Sequence, residues 1–260
     1  VVLWLVVVGA AVVEGAVHWQ DLTDNIFDQV LSPRNLVLLW ILFPLIKTAH
    51  EFGHAIAVKC FGGDVHDMGI MLLVFSPVPY VDASASSAFR EKRKRILVGA
   101  AGMAVELFIA SLAMFIWLNG QPGLVRTLAF NTIFIAGVTT ILFNANPLVR
   151  FDGYYMLADF LEIPNLRQRA NTYLGYLCER YLFGCEEVEP PMSTVGERRW
   201  FALFAVASSL YRVFITVAIL LFLGDWNFYL GALFGLFTAV LWVIVPLVKD
   251  LLDAMPSVIG

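Results

Sequence analysis

Residues 50–54 read His-Glu-Phe-Gly-His. On a helix the i, i+4 spacing puts His50 and His54 on one face a turn apart, so two imidazoles can share one cation. Neutral imidazole suits zinc, and a catalytic zinc takes three protein ligands while its fourth position stays open to water. The motif supplies two. Glu51 lies about 100° round the helix from His50, where a carboxylate can act on water at the metal's edge without being a ligand. The third ligand has to be a carboxylate, histidine or cysteine brought by another element to the same depth. A structural or transport metal site, or a pair of buried histidines hydrogen-bonded to neighbours, would use the same residues to other ends.

A second polar island, "NANPLVRFDGYYM" from Asn144 to Met156, closes a long apolar run. Pro147 breaks the helix there. Asn144 and Asn146 become partners for the freed backbone or for a substrate, and Asp152-Gly153 follows. Together, HExxH at 50–54 and NxxPxxxxDG at 144–153 resemble the site-2 protease family of intramembrane zinc metalloproteases, over roughly residues 35–160. The resemblance implies a three-helix core in which His50, His54 and Asp152 hold Zn2+, with Glu51 as catalytic acid/base and Asn144 positioning the substrate or the oxyanion. The stretches "VPYVDASASSAFREKRKRILVGAAGMAVEL" and "NPLVRFDGYYMLADFLEIPNL" are closer to a bacterial subgroup, the peptide zinc metalloproteases. Members often continue into an adaptor segment resembling export membrane-fusion proteins, which implies export or adaptor subunits as partners. Nothing in the chain resembles the PDZ domain that many family members carry.

The elements that must position these residues are membrane helices. The chain has 260 residues, 60% hydrophobic and 15% charged, with a mean hydropathy of +0.78. Soluble domains are about 45–50% apolar. Apolar stretches long enough to cross ~30 Å of hydrocarbon lie near 1–17, 35–59, 96–118, 125–146, 200–223 and 227–248. The expected fold is therefore an all-α integral membrane protein of about six transmembrane helices. The expected divisions are 1–34 (first helix and outer loop), 35–160 (zinc core), 161–199 (interfacial segment) and 200–260 (C-terminal hairpin). Both ends read as cuts in a longer polypeptide.

With six spans, 13 of the 17 lysines and arginines fall on one side, in 60–95, 147–199 and after 248, together with Lys59 at their edge. The positive-inside rule makes that side cytoplasmic. The expected location is a bacterial cytoplasmic (inner) membrane, with the active site open to the cytoplasm. His50 and His54 precede Lys59 by nine and five residues, a depth of roughly 8–14 Å. "MGIMLLVFSPVPYVDAS", Met68 to Ser84, is apolar but broken by Pro77 and Pro79, so a short strand pair or re-entrant segment is expected. Its part Met71 to Val81 is expected against the zinc cavity, with an edge able to hold an extended substrate. "LRQRANTYLGYLCERYLFG", Leu166 to Gly184, reads either as an amphipathic helix in the interface or as a linking helix.

The remaining signals are weaker. Cys60, Cys178 and Cys185 have no CxxC spacing, and scattered basic residues give no support to nucleic-acid binding. His66 reads as a loop histidine, and His18 lies on the opposite side from the motif. Glu14, Lys47, Glu106 and Arg212 fall in or near spans, where ionisable groups pair or line water; Glu106 with Arg212 is one candidate pair. "GAAGMA", Gly99 to Ala104, reads as close helix packing. "REKRKR", Arg90 to Arg95, reads as a topology anchor that could also attract anionic lipid. The expected activity is hydrolysis of a peptide bond in a membrane-associated peptide or helix. The alternative is a non-catalytic scaffold subunit of a larger membrane assembly such as a peptide exporter.

Overall fold

The structure is a computed structural model that describes residues 1–24, 26–73, 75–182 and 194–241. Four helical stretches are long and apolar enough to cross a membrane: Pro33–Cys60, Lys92–Asn119, Leu124–Asn144 and Gly196–Trp226. They carry large apolar side chains outward, among them Leu45, Ile116 and Ile141, each half exposed or more. The chain is thus a helical membrane protein. Two of the six expected spans are shorter among the described residues. Val2–Val17 has 16 residues, about 24 Å of helix, and Phe228–Ala239 has 12, with 242–248 outside the described residues.

The chain divides into two compact units, Val1–Leu166 and Arg167–Gly260. In the first, α1 (Val2–Val17) and two short helices, α2 (Trp19–Thr23) and α3 (Ile26–Leu31), lead into α4 (Pro33–Cys60). Pro33 opens α4 where its missing N–H is not needed. A hairpin of β1 (Met68–Leu73) and β2 (Ser76–Val81) and a 3₁₀ turn at Ser84–Ala88 lead to α5 (Lys92–Asn119). Next comes α6 (Leu124–Ile133), which runs without a break into a π-helical stretch, Phe134–Asn144, followed by α7 (Asp152–Leu161).

Helices α4 and α5 pack at glycine. A Cβ on Gly53 would stand 2.9 Å from the Ala101 carbonyl oxygen, so only glycine lets the two backbones meet there. Ile46, Ala110, Ile135 and Ala136 form a buried apolar patch between α4, α5 and the π stretch. Towards the other end Ala11, Met114, Trp117 and Phe130 form a second. Between α4 and α6, Asn35 and Asn131 exchange side-chain amide hydrogen bonds of 3.0 and 2.6 Å.

The hairpin pairs Met68 with Val81 and Leu73 with Ser76, antiparallel. Asp82 N–H donates to Asp67 O at 2.8 Å, which marks 67/82 as a hydrogen-bonded pair. Alternation then makes 69/80, 71/78 and 73/76 the bonded pairs, and turns Pro77 and Pro79 to the far edge, where a missing N–H costs no ladder bond. β2 packs on α4 with Pro79 buried, whereas β1 is mostly exposed. Phe75, in the turn at φ 62°, is 85% exposed.

The second unit begins at Arg167 within α8 (Leu166–Leu177), which is extended by a π turn over Cys178–Leu182. Helix α9 (Val195–Trp226) starts in a capping box: Thr194 Oγ1 accepts from Glu197 N–H, and the Glu197 carboxylate accepts from Thr194 N–H. Arg169 reaches Glu197 at 3.0 Å and lies over the Phe201 ring, tying α8 to α9. Arg212 donates to Ser208 O and Ser209 Oγ. Asn227 caps α10 (Phe228–Ala239). Of the residues 166–184 expected to form one interfacial or linking helix, 183 and 184 lie outside the described residues.

Candidate metal centre

Helix α4 presents His50 and His54 on one face, both buried. Their Nε2 atoms are 3.0 Å apart and the rings stand edge to face. Asp152, the first residue of α7, meets them: Oδ2 is 3.1 Å from His50 Nε2, and Oδ1 is 3.6 Å from His54 Nε2. The three residues offer ligand atoms all within 4.8 Å of one another, the one such group among the described residues.

Asp152 arrives there for local reasons. The π stretch ends at Asn144, with Ala145 N–H donating to Thr140 O at 2.8 Å, and the chain turns through Pro147 before α7 begins. A Cβ on Gly153 would lie 2.5 Å from the Ala145 carbonyl oxygen, so glycine lets the first turn of α7 lie against the end of the preceding helix. Arg95 Nε donates to Asp159 Oδ1 at 2.6 Å and fastens α7 to α5.

The donor set fits a small tetrahedral cation. Bonds of about 2.0–2.1 Å at tetrahedral angles separate neighbouring donors by roughly 3.3 Å; the two Nε2 atoms are 3.0 Å apart, and their separations of 3.1 and 3.6 Å from one or the other Asp152 oxygen bracket that value. A cradle of missing atoms supports the same conclusion. A Cβ on Gly102 of α5 would stand 2.5 Å from His54 Nε2 and 2.6 Å from His50 Nε2, so glycine keeps this side of the donor triangle clear. His54 Nδ1–H donates to Val98 O at 2.7 Å, which fixes its tautomer and leaves Nε2 with a free lone pair.

Glu51 and His54 border a cavity of about 760 Å³ together with Asp152, Val81, Arg95 and Tyr155. Val81, the last residue of β2, lines this cavity beside Glu51. The Val81 end of the Met71–Val81 segment therefore lies at this cavity, while the turn end, Leu72 to Phe75, is exposed where described. A second cavity of about 550 Å³ opens beside Arg34, Asn35, Trp117 and Arg126, away from the histidines. His54 and Asp152 of the candidate ligand group line the first cavity and not the second.

Beneath the histidines is a fully buried carboxylate, Glu106 of α5. Lys47 Nζ donates to its Oε1 at 2.6 Å; the Thr140 hydroxyl and, at 3.1 Å, Asn144 Nδ2 donate to Oε2. Asn144 is itself buried, with its amide engaged by Glu106. His50 Nδ1 lies 3.3 Å from Glu106 Oε2, off the line of a well-formed hydrogen bond, and is a buried nitrogen with no other partner among the described residues. Sequence spacing singled out His50, Glu51 and His54. It gave no role at the site to Gly102, Val98, Thr140 or Lys47, whose partners come from other helices and leave no periodic trace. His66 is exposed in the loop after α4, and His18 stacks edge-on with Trp117. Cys60 and Cys178 are free, and Cys185 lies outside the described residues. Comparison of the chain with protein-family models, curated proteins and solved structures finds no match.

Proposed function

We propose that this chain is a zinc-dependent peptidase of the membrane, hydrolysing a peptide bond in a membrane-associated peptide or an unwound helix. The observation that carries this reading is the convergence of His50, His54 and Asp152 at the wall of one cavity, which His54 and Asp152 line together with a neighbouring carboxylate, Glu51. In the assignment, His50 Nε2, His54 Nε2 and an Asp152 oxygen hold Zn2+, which supplies Lewis acidity towards the peptide carbonyl and acidifies water. Glu51 takes a proton from the attacking water as its oxygen bonds to the carbonyl carbon. The same carboxylic acid then delivers that proton to the amide nitrogen as the C–N bond breaks.

A substrate must enter extended, since a helix hides its carbonyls in i to i−4 hydrogen bonds. The hairpin register leaves the backbone of Met68, Ile70 and Leu72 on the open edge of β1, whereas the open edge of β2 has lost two donors to proline. Under the positive-inside rule, the basic loops support a site open to the cytoplasmic side of the membrane. Asn144 is assigned to the Glu106 cluster rather than to the oxyanion, because its amide is already engaged there.

The test compares purified wild type with Glu51→Gln. Both retain about one zinc per chain, and only the variant accumulates uncut peptides, identified by mass spectrometry of what co-purifies. Zinc without any difference in bound peptides is the outcome expected of a scaffold subunit in a peptide-export assembly. Absence of zinc from the wild type, even after its addition, overturns the metal assignment.

A further inference from the structure

Glu106 and Asp152 face opposite nitrogens of one imidazole. Asp152 Oδ2 is 3.1 Å from His50 Nε2, and Glu106 Oε2 is 3.3 Å from His50 Nδ1. Glu106 thus stands across the ring from the donor triangle and is not a ligand. The two histidines differ in what holds their far nitrogens. For His54 it is the backbone carbonyl of Val98, whereas for His50 the nearest acceptor is a side-chain carboxylate that is fully buried.

A buried carboxylate is costly unless charge and hydrogen bonds compensate it. Here Lys47 neutralises Oε1, while Thr140 and Asn144 donate to Oε2, the same oxygen that faces His50. Three elements therefore fix this carboxylate: α4 through Lys47 at Oε1, α5 through Glu106 itself, and the π stretch through Thr140 and Asn144 at Oε2. Thr140 and Asn144, four apart and so about one turn from each other, both meet Glu106.

We propose that Glu106 is the positioning residue of the metal centre: its carboxylate takes the Nδ1–H of His50, sets the ring's tautomer and orientation, and so presents Nε2 to the metal. The role of Asn144 and Thr140 follows, since they aim the carboxylate and couple the NxxP segment to the HExxH helix. This rests on the zinc assignment above, and its test separates the two.

Zinc affinity of the detergent-purified chain is measured by competition with a chromogenic chelator, and ligand geometry by the visible absorption of the Co2+-substituted protein. Four forms are compared: wild type, Glu106→Gln, Lys47→Met, and the double variant Lys47→Met/Glu106→Gln, which removes both charges at nearly constant volume. Loss of an outer carboxylate partner weakens metal binding about 10–100-fold. Glu106→Gln and the double variant are expected to show that loss with an altered Co2+ spectrum, even where the double variant regains thermal stability. Wild-type affinity in Glu106→Gln, or its recovery in the double variant, reduces Glu106 to a structural ion-pair partner and overturns the proposal. If Glu106→Gln does not fold, the double variant decides alone. A wild type that binds neither Zn2+ nor Co2+ overturns the zinc assignment and this inference with it.

Discussion

Helix α4 contributes to two buried polar clusters about 22 Å apart along its axis, one at Asn35 and one at His50. The first closes on itself. Asn35 and Asn131 each donate to the other, at 3.0 and 2.6 Å, and the pair carries no charge. The second does not close. With the Nδ1–H of His54 on Val98 O, and with that of His50 on Glu106 as proposed above, the two Nε2 atoms and the Asp152 oxygens bring lone pairs to one point without a donor between them. A buried cluster whose donors and acceptors cancel is a fastener between helices; one with surplus acceptors calls for a cation.

The most damaging test of that contrast is His54→Ala. It is expected to remove bound zinc entirely by elemental analysis, while α4 and its Asn35 contact remain. Glu51→Gln should keep the metal and lower hydrolysis about 10²–10⁴-fold, the usual share of a general acid–base group, read against any peptide that the wild type cleaves. Gly102→Ala sharpens the geometry, because its Cβ falls 2.5 Å from His54 Nε2. Overpacking of this kind costs about 1–3 kcal/mol, and if it falls on the donor triangle zinc binds roughly 5–150-fold more weakly. Gly99→Ala, whose Cβ meets only the flexible Met156 side chain, should bind zinc as the wild type does. The smallest effect is expected at the closed cluster. Asn131→Leu should cost about 1 kcal/mol in a denaturation assay in detergent, Asn35→Leu/Asn131→Leu should recover most of it, and zinc affinity should not change in either. A change in zinc affinity at Asn131 would mean that the two clusters are coupled.

Much of the centre was legible because its chemistry follows helical periodicity. His50 and His54 are one turn apart, and Glu51 follows from the same repeat. Asp152 could be placed only through the resemblance of the NxxPxxxxDG segment, since no spacing links it to residue 50; a turn at Pro147 and a glycine contact bring it in. Glu106 was visible as an ionisable residue in a span. Its partner was not, because Lys47 sits 59 positions away on another helix and several basic residues lay within conceivable reach. Gly102 read as packing, and it does pack, though against imidazole nitrogens rather than a neighbouring helix surface. Hydropathy marked six apolar stretches but carries no information on where helices end, and four helices have spanning length among the described residues.

The π stretch Phe134–Asn144 has a consequence for insertions and deletions. A residue deleted between Phe134 and Ala136, with the winding otherwise kept, would cost the segment none of its apolar character. Every residue beyond the gap would then turn by about 100° and shift by 1.5 Å relative to the rest of the bundle. Asn144 would leave Glu106, and Asp152, eight residues further on, would be carried away from the histidines. The segment therefore tolerates apolar exchange at its lipid-facing positions far better than any change in its length.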